Sequence, residues 1–428
     1  MRTAAAAMLV LLAAAGSAGA QEFFLVGSRS LAMGRSGVAS VSDASAVYTN
    51  PAALASTGFA GAVIPVLGAG AFSPVDIRET RDLVDDFVAA LDEFQSSPNA
   101  AAAQRAVDSI LALDDDLVAG AEAHSLVALT LPIPLTLSYS ERVLTDVRIV
   151  VDKQNISTVV SLPLPTNSIV NNESAAIGHV AWLRQVGLSY AAALPFLGEN
   201  LLVGATGIIG HATTFNDADT LINLATGGEI DWRDRLRSNR ESSCYLDLVV
   251  GAQAHFFERR LVAGITAAHL LSPTIERRHA ADFDLDPQVR LGIAFSPFYE
   301  EHYGEPEAGE EAERAEGTAA APRRRGDIRS ITNPLTFTFD LDLTSNESAL
   351  EGIGIESRHI GGGVEYAPLP WLALRAGVYR NLEESDLGTT ITAGFQLSVL
   401  EIAGAYSLRS ADDLSNEMRV SVGLSVTF

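Results

Sequence analysis

From His124 the spacing of apolar residues becomes two and mostly stays so, and the residues between them are mostly small or polar. A period of two marks a strand with two unlike faces. Val127, Leu129, Leu131, Ile133, Leu135, Leu137 and Tyr139 form one such row. Val180, Trp182, Val186, Leu188 and Tyr190 form a second, interrupted by Arg184. Leu246, Leu248, Val250, Ala252, Ala254 and Phe256 oppose Tyr245, Asp247, Gly251, Gln253 and His255. The last segment is the most regular. Met418, Val420, Val422, Leu424, Val426 and Phe428 are apolar, while Arg419, Ser421, Gly423, Ser425 and Thr427 are small or polar. With half of all residues apolar, such an alternation at one chosen place has a chance of ~1 in 2,000. The pattern predicts fourteen strands, near 58–72, 124–139, 145–162, 176–194, 200–213, 243–257, 260–272, 287–297, 332–343, 355–367, 371–381, 386–397, 399–409 and 416–428.

Two stretches break the period. Leu83, Phe87, Leu91 and Phe94 recur at helical spacing from Ile77, and Ser97-Pro98 offers an N-cap and first-turn proline for a second helix, with Val107, Ile110, Leu111, Leu117 and Val118 as its apolar face. These helices form an insert over 73–123, after the first strand. The other stretch, Gly27 to Ala55, is rich in Gly, Ala and Ser and carries Asn50-Pro51-Ala52-Ala53 near its end. Pro51 fixes its own φ and pushes Asn50 towards an extended backbone. Small residues with one imposed bend suit a segment that threads a confined space, so 21–57 reads as a plug for the barrel formed by 58–428.

Connection lengths supply an independent test of the strand count. With the first strand ascending, the insert and the polar stretches 163–175 and 214–242 fall at one end, and tight turns fall at the other. The segment 298–330 breaks that parity. It carries a run of glutamates from Glu300 to Glu316 and then Arg323, Arg324 and Arg325, the composition of a disordered loop; a partner-docking loop and a mistaken strand count are the other readings.

Arg2, the apolar run Ala4–Ala15 and Ala18-Gly19-Ala20 have the layout of a cleavable leader over 1–20. Hydrophobic residues make up 47% of 428, yet no apolar run is long enough to span a bilayer as a helix. That combination leaves a large buried core or a membrane barrel. A net charge of −24 argues against nucleic acid as a partner. Cys244 is the only cysteine, which excludes an internal disulfide and thiolate metal clusters. There is no G-x-S-x-G, H-E-x-x-H or P-loop, and neither a cofactor nor a catalytic residue is expected. Asp282, Asp284 and Asp286, and Asn216, Asp217 and Asp219, offer hard oxygens but read better as solvated acidic loops. His179, His255 and His359 are expected to face a polar lumen rather than a metal. If the apolar rows face lipid, then Arg290, Asp340, Asp342, His359, Glu365, Arg375 and Arg419 face inward, pairing with one another and with the plug or lining a polar path.

The stretch Gly27-Ser-Arg-Ser-Leu31-Ala-Met33-Gly34-Arg-Ser-Gly37 with Asp43 to Leu54 resembles the N-terminus of the long-chain fatty-acid transporter (FadL-type) superfamily of outer-membrane barrels. The helical insert and the blocks Leu335–Thr344 and Leu372–Asn381 look most similar to the exported, conjugal-transfer TraF-like barrel family. The resemblance covers both ends of the chain and leaves the central third unmatched. It implies an all-β, 14-stranded antiparallel transmembrane barrel in a Gram-negative outer membrane, with an N-terminal hatch whose motif maps to Gly34, Gly37, Asn50, Pro51 and Ala52. A terminal aromatic row ending in Val426 and Phe428 resembles the signal read by barrel-assembly machinery. Two functions follow. One is passive uptake of fatty-acid-like hydrophobic molecules in contact with outer-membrane lipids. The other is a plugged scaffold for envelope proteins of a conjugation or type IX-like secretion system. A wide apolar pocket favours the first, and a lumen filled by paired charges favours the second.

Overall fold

The computed structural model describes residues 24, 26–57, 61–72, 77–97, 99–112, 118–131, 135–152, 174–194, 200–220, 235, 237–278, 282–303, 328–347, 356–383, 388–408 and 417–427. The leader 1–20 and Phe428 lie outside them.

Fourteen antiparallel strands close into a barrel. In chain order they are β1 (Gly61–Phe72), β2 (Val118–Thr130), β3 (Leu135–Val150), β4 (Ala175–Ala193), β5 (Leu201–Thr220), β6 (Arg240–Phe256) and β7 (Leu261–Ala268). They continue with β8 (Gln288–Phe295), β9 (Leu335–Asp342), β10 (His359–Leu369), β11 (Leu372–Asn381), β12 (Thr389–Leu397), β13 (Leu400–Leu408) and β14 (Glu417–Thr427). Each pairs with its sequence neighbours, and β1 with β14, from Gly61 opposite Thr427 to Phe72 opposite Glu417, completes the cylinder. The register slips around Ile64-Pro65 against both flanking strands, because Pro65 has no N–H to donate and a bulge absorbs the gap.

The alternation assigns the faces. Leu188 is 57% exposed and its neighbour Ser189 is 0% exposed. Leu137, Leu246, Ile293, Phe337, Leu374 and Met418 share the outward face, and Ser138, Asp247, Arg290, Thr338, Arg375 and Arg419 the inward one. An apolar outer face on a closed barrel with no strand edge is the solution that a bilayer demands. No helix among the described residues is long and apolar enough to cross a membrane.

Several expected boundaries move. The row 124–139 is two strands: β2 starts at Val118 and the chain reverses between Leu131 and Leu135, whose N–H and C=O bond at 3.0 Å. Pro132 and Pro134 supply no N–H donors there, and the apolar alternation runs on across the reversal because Leu131 and Leu135 stay in phase. The helical insert therefore ends before 118, and Val118 belongs to the sheet. Its helices are α1 (Ile77–Ser96) and α2 (Ala100–Ala112), packed through Phe87, Ala102, Ala106 and Val107. Asn99, not Ser97, caps α2, its Oδ1 accepting from the Ala102 N–H at 2.9 Å. β3 ends at Val150, and 153–162 of the expected strand lie outside the described residues; β5 runs on to Thr220, placing Asn216, Asp217 and Asp219 within a strand. Part of the acidic segment is ordered as well: Glu300–Tyr303 pairs with Ile328–Thr332, prolonging the β8–β9 hairpin, and residues 304–327 lie outside those described.

A charge placed in the middle of the outward face must be buried in lipid. Leu188→Arg is expected to lower stability by about 2–4 kcal/mol in urea titrations of the lipid-reconstituted barrel.

Candidate functional site

The lumen is not empty. Residues 26–57 lie inside the barrel, as short helical turns Ser28–Ala32, Ala46–Thr49, Pro51–Ala53 and Leu54–Thr57, and most of their side chains are fully buried. One end packs on β11 to β14 and the other on β4 to β6, so the segment bridges the lumen. Its composition explains how it fits. Gly34 takes a left-handed φ of 68°, and a Cβ there would stand 2.4 Å from the Gly362 carbonyl oxygen. On the wall side, a Cβ at Gly251 would stand 2.0 Å from Asn50 Oδ1, and one at Gly361 1.9 Å from Gly34 O. At Gly34 and Gly361 backbone meets backbone, and at Gly251 the bare wall makes room for the Asn50 side chain.

Asn50 occupies the extended conformation that Pro51 imposes (φ −164°, ψ 100°) and caps the turn Pro51–Ala53, its Oδ1 accepting from Ala52 N–H at 3.1 Å. Its Nδ2 donates to the carbonyls of Val38 at 2.8 Å and Ala252 at 3.3 Å. One side chain therefore ties three things: the turn, the preceding limb and β6. Gly37 lies beside Ser30 and Thr49, where a Cβ would meet Ser30 Oγ at 2.5 Å. The N–H groups of Gly37 and Val38 both donate to Asp340 Oδ2, at 2.7 and 3.0 Å.

All seven inward candidates are buried. Arg29 grips Glu365 through two bonds of 2.8 Å, and Arg375 Nε reaches the same carboxylate at 2.6 Å. Arg375 Nη2 also meets Gln396 at 2.7 Å and Glu401 at 3.5 Å. Burial disfavours the Arg29 charge, but Glu365 more than offsets it and holds the guanidinium above its ordinary pKa. Burial likewise raises the Tyr48 phenol above its usual value. Arg290 forks onto Asp342, donates from Nη1 to the Arg35 carbonyl at 3.2 Å, and Asp342 accepts from His359 N–H at 2.9 Å. Arg419 bonds Glu417 and Glu122, and Glu122 in turn accepts from Arg142 at 2.9 Å. Val426 pairs with Ala62 at the β1–β14 seam.

Sequence reasoning missed Arg29, Glu122, Arg142, Glu401 and Glu417. Glu122 was hidden by its assignment to the helical insert. The inward glycines of the wall were missed too, although Gly361-Gly362-Gly363 in a strand, where glycine weakens pairing, is itself a signal of close backbone approach.

After β7, residues 269–278 and 282–287 fold inward rather than extending the expected strand to 272. Ile275, Phe283 and Leu285 pack against Leu144, Leu183, Ala212 and Tyr245 of the inner wall. Thr214 and Asn216 bond the carbonyls of Glu276 and Arg278 at 3.0 and 2.9 Å, and His269 Nδ1 meets Asp247 at 2.6 Å. Asp282 and Asp284 bond Arg277 N–H and Thr274 Oγ1 within this hairpin. Of the other histidines, His179 meets Asp146 at 2.9 Å and His255 is buried on the inner face of β6. Among the described residues no cluster of His, Cys, Asp or Glu has metal-ligand geometry. Between the hairpin and the N-terminal segment lies a cavity of about 20 Å³ lined by Phe24, Tyr48, Arg142, Leu183, Gln185, Ile208, Val249, Ala268 and His269. On the scale where a water needs about 10–15 Å³, it has room for one water.

The family model described as "F plasmid transfer operon, TraF, protein" matches residues 47–301. Similar solved structures include the Ralstonia pickettii toluene transporter TbuX, 11% identical over 95% of this chain and 100% of that one with a TM-score of 0.47. The P. putida toluene transporter TodX is 11% identical over 95% and 98%, with a TM-score of 0.46. A Pseudomonas aeruginosa FadL homologue is 11% identical over 95% and 97%, with a TM-score of 0.42. No curated protein sequence matches the chain.

Glu365→Ala leaves Arg29 and Arg375 without their shared carboxylate and is expected to cost about 3–5 kcal/mol in thermal or urea unfolding. Gly251→Val drives a side chain into Asn50. The expected result is a barrel that stays heat-modifiable on gels, conducts ions in planar bilayers where the wild type is closed, and exposes residues 26–57 to protease.

Proposed function

This chain belongs to the F plasmid transfer operon TraF protein family, and on that premise we propose that it is an outer-membrane channel for passive uptake of hydrophobic, fatty-acid-like small molecules. Its N-terminal segment serves as the hatch and its state here is the closed one. The observation that supports this reading is that a separate segment of small residues, 26–57, rather than the wall's own side chains, fills the lumen; the space left beside it, about 20 Å³ between Phe24, Leu183, Ile208, Val249 and Ala268, has room for no more than a water in this state. Withdrawal of residues 26–57 would join that space to the rest of the lumen, and no bond need be made or broken chemically. Gly34, Gly37, Asn50, Pro51 and Ala52 then act as the hatch motif, and the inward charges as its latch. The bulge at Ile64-Pro65, where β1 pairs poorly with both neighbours, is a point at which a molecule could pass sideways into the bilayer.

A second reading has its own support. The charges of the lumen are paired through Arg29, Arg290 and Arg419, as in a barrel kept permanently filled. Such a barrel would be a scaffold for envelope proteins of a conjugation or secretion system. Under either reading residues 1–20 direct export, and the C-terminal strand through Val426 and Phe428 engages the assembly machinery.

The deciding measurement is uptake of a labelled fatty acid and a labelled alkane by cells with the gene, without it, and with Gly251→Val. Faster uptake with the gene, and faster still with the variant, is expected. Equal uptake in all three across several apolar probes removes the channel reading and leaves the scaffold.

A further inference from the structure

The outward face of β3 to β6 changes character within a single step of the register. Tyr139, Val186, Ile209 and Leu246 lie side by side across the four strands, all exposed and apolar or aromatic. The next outward row towards the long connections is Glu141, Arg184, His211 and Cys244. Charged and polar side chains first interrupt the apolar face in this row, with Val143 and Trp182 just beyond it, a mixture that suits the level of lipid headgroups.

At that level Arg184 is held rather than loose. Its guanidinium lies 4.7 Å from the centre of the Trp182 ring, and Nη2 is 3.0 Å from His211 Nδ1. Because arginine can only donate, Nδ1 accepts, and the ring proton of a neutral His211 is on Nε2. Among the described residues no carboxylate lies within 4.0 Å of the guanidinium, and Glu141, its cross-strand neighbour, takes the Tyr139 hydroxyl instead. Arg184 Nε and Trp182 Nε1 have no hydrogen-bond partner. A positive charge on a lipid-facing wall calls for a counter-charge, and here the neighbouring Glu141 is engaged by the Tyr139 hydroxyl rather than in an ion pair with the guanidinium. We propose that Arg184, His211 and Trp182 form an outer-wall site for the phosphate-monoester headgroup of a membrane lipid. The planar guanidinium suits two phosphate oxygens, His211 Nε2–H adds a donor, and the Trp182 ring seats the headgroup at the interface. The site is on the lipid side of the wall and is independent of what passes through the lumen.

The test is native mass spectrometry of the purified full-length barrel in a neutral detergent, titrated with phosphatidic acid, with phosphatidylcholine of the same acyl chains, and with inorganic phosphate. Wild type should retain phosphatidic acid over phosphatidylcholine. Arg184→Gln should bind phosphatidic acid about 10–100-fold more weakly. His211→Gln should bind it about 2–10-fold more weakly. Arg380→Gln, an exposed arginine on β11 with no histidine or tryptophan contact among the described residues, should bind as wild type. Heat-modifiable mobility identifies folded variants, and His211→Gln keeps the test open if Arg184→Gln fails to fold. Equal retention of the two lipids overturns the proposal, as does unchanged binding by both folded site variants. Displacement of phosphatidic acid by inorganic phosphate at equal concentration would assign the site to free phosphate and remove the lipid.

Discussion

A barrel that turns its apolar residues to lipid must place its charges in the lumen, where there is little water to solvate them. Each buried charge is then destabilising unless a partner reaches it. In this molecule the wall does not supply every partner. Glu365 is shared between Arg375 of the wall and Arg29 of the N-terminal segment, Asp340 receives the backbone N–H groups of Gly37 and Val38, and Arg290 donates to the Arg35 carbonyl. The segment inside and the cylinder outside are therefore one electrostatic system. Its glycines on both sides are the geometric counterpart of that dependence, since they let the segment come close enough to the wall for those contacts to form.

The alternation made the strands readable because it is the direct imprint of two solvents, lipid outside and a polar interior within. Leu188 and Ser189, or Met418 and Arg419, need no more than that. Ends of strands are another matter. At Leu131–Leu135 the apolar residues stay in phase through the reversal, so period alone conceals it, and only Pro132 and Pro134 mark it. Beyond the lipid belt the outer face no longer has to be apolar, which is why β5 runs on through Asn216, Asp217 and Asp219 where composition suggests a loop.

The lumen was legible by residue and not by partner. That Arg290, Asp342, Glu365 and Arg419 point inward follows from their place in the rows. That Arg29 meets Glu365, or that Glu122 joins Arg419 to Arg142, depends on how the cylinder closes and on the stagger between strands, and neither is written in a local window. Arg184 is the opposite case. It interrupts an apolar row, between Trp182 and Val186, and that interruption is visible in the sequence itself.

The chain passes from Thr57 of the inner segment to Gly61 of the first strand in only a few residues. The cylinder closes between Gly61 and Thr427, and the filler closes between Arg29 and Glu365, 336 residues apart. Chain entropy lost in bringing distant residues together grows only as the logarithm of the span, and it is lost once for a shared loop. When the first and last strands meet, the inner segment is already tethered beside its partners and needs little further ordering. Sealing the wall therefore leaves the inner segment beside its partners, and a segment displaced within an intact cylinder has only a short tether over which to return.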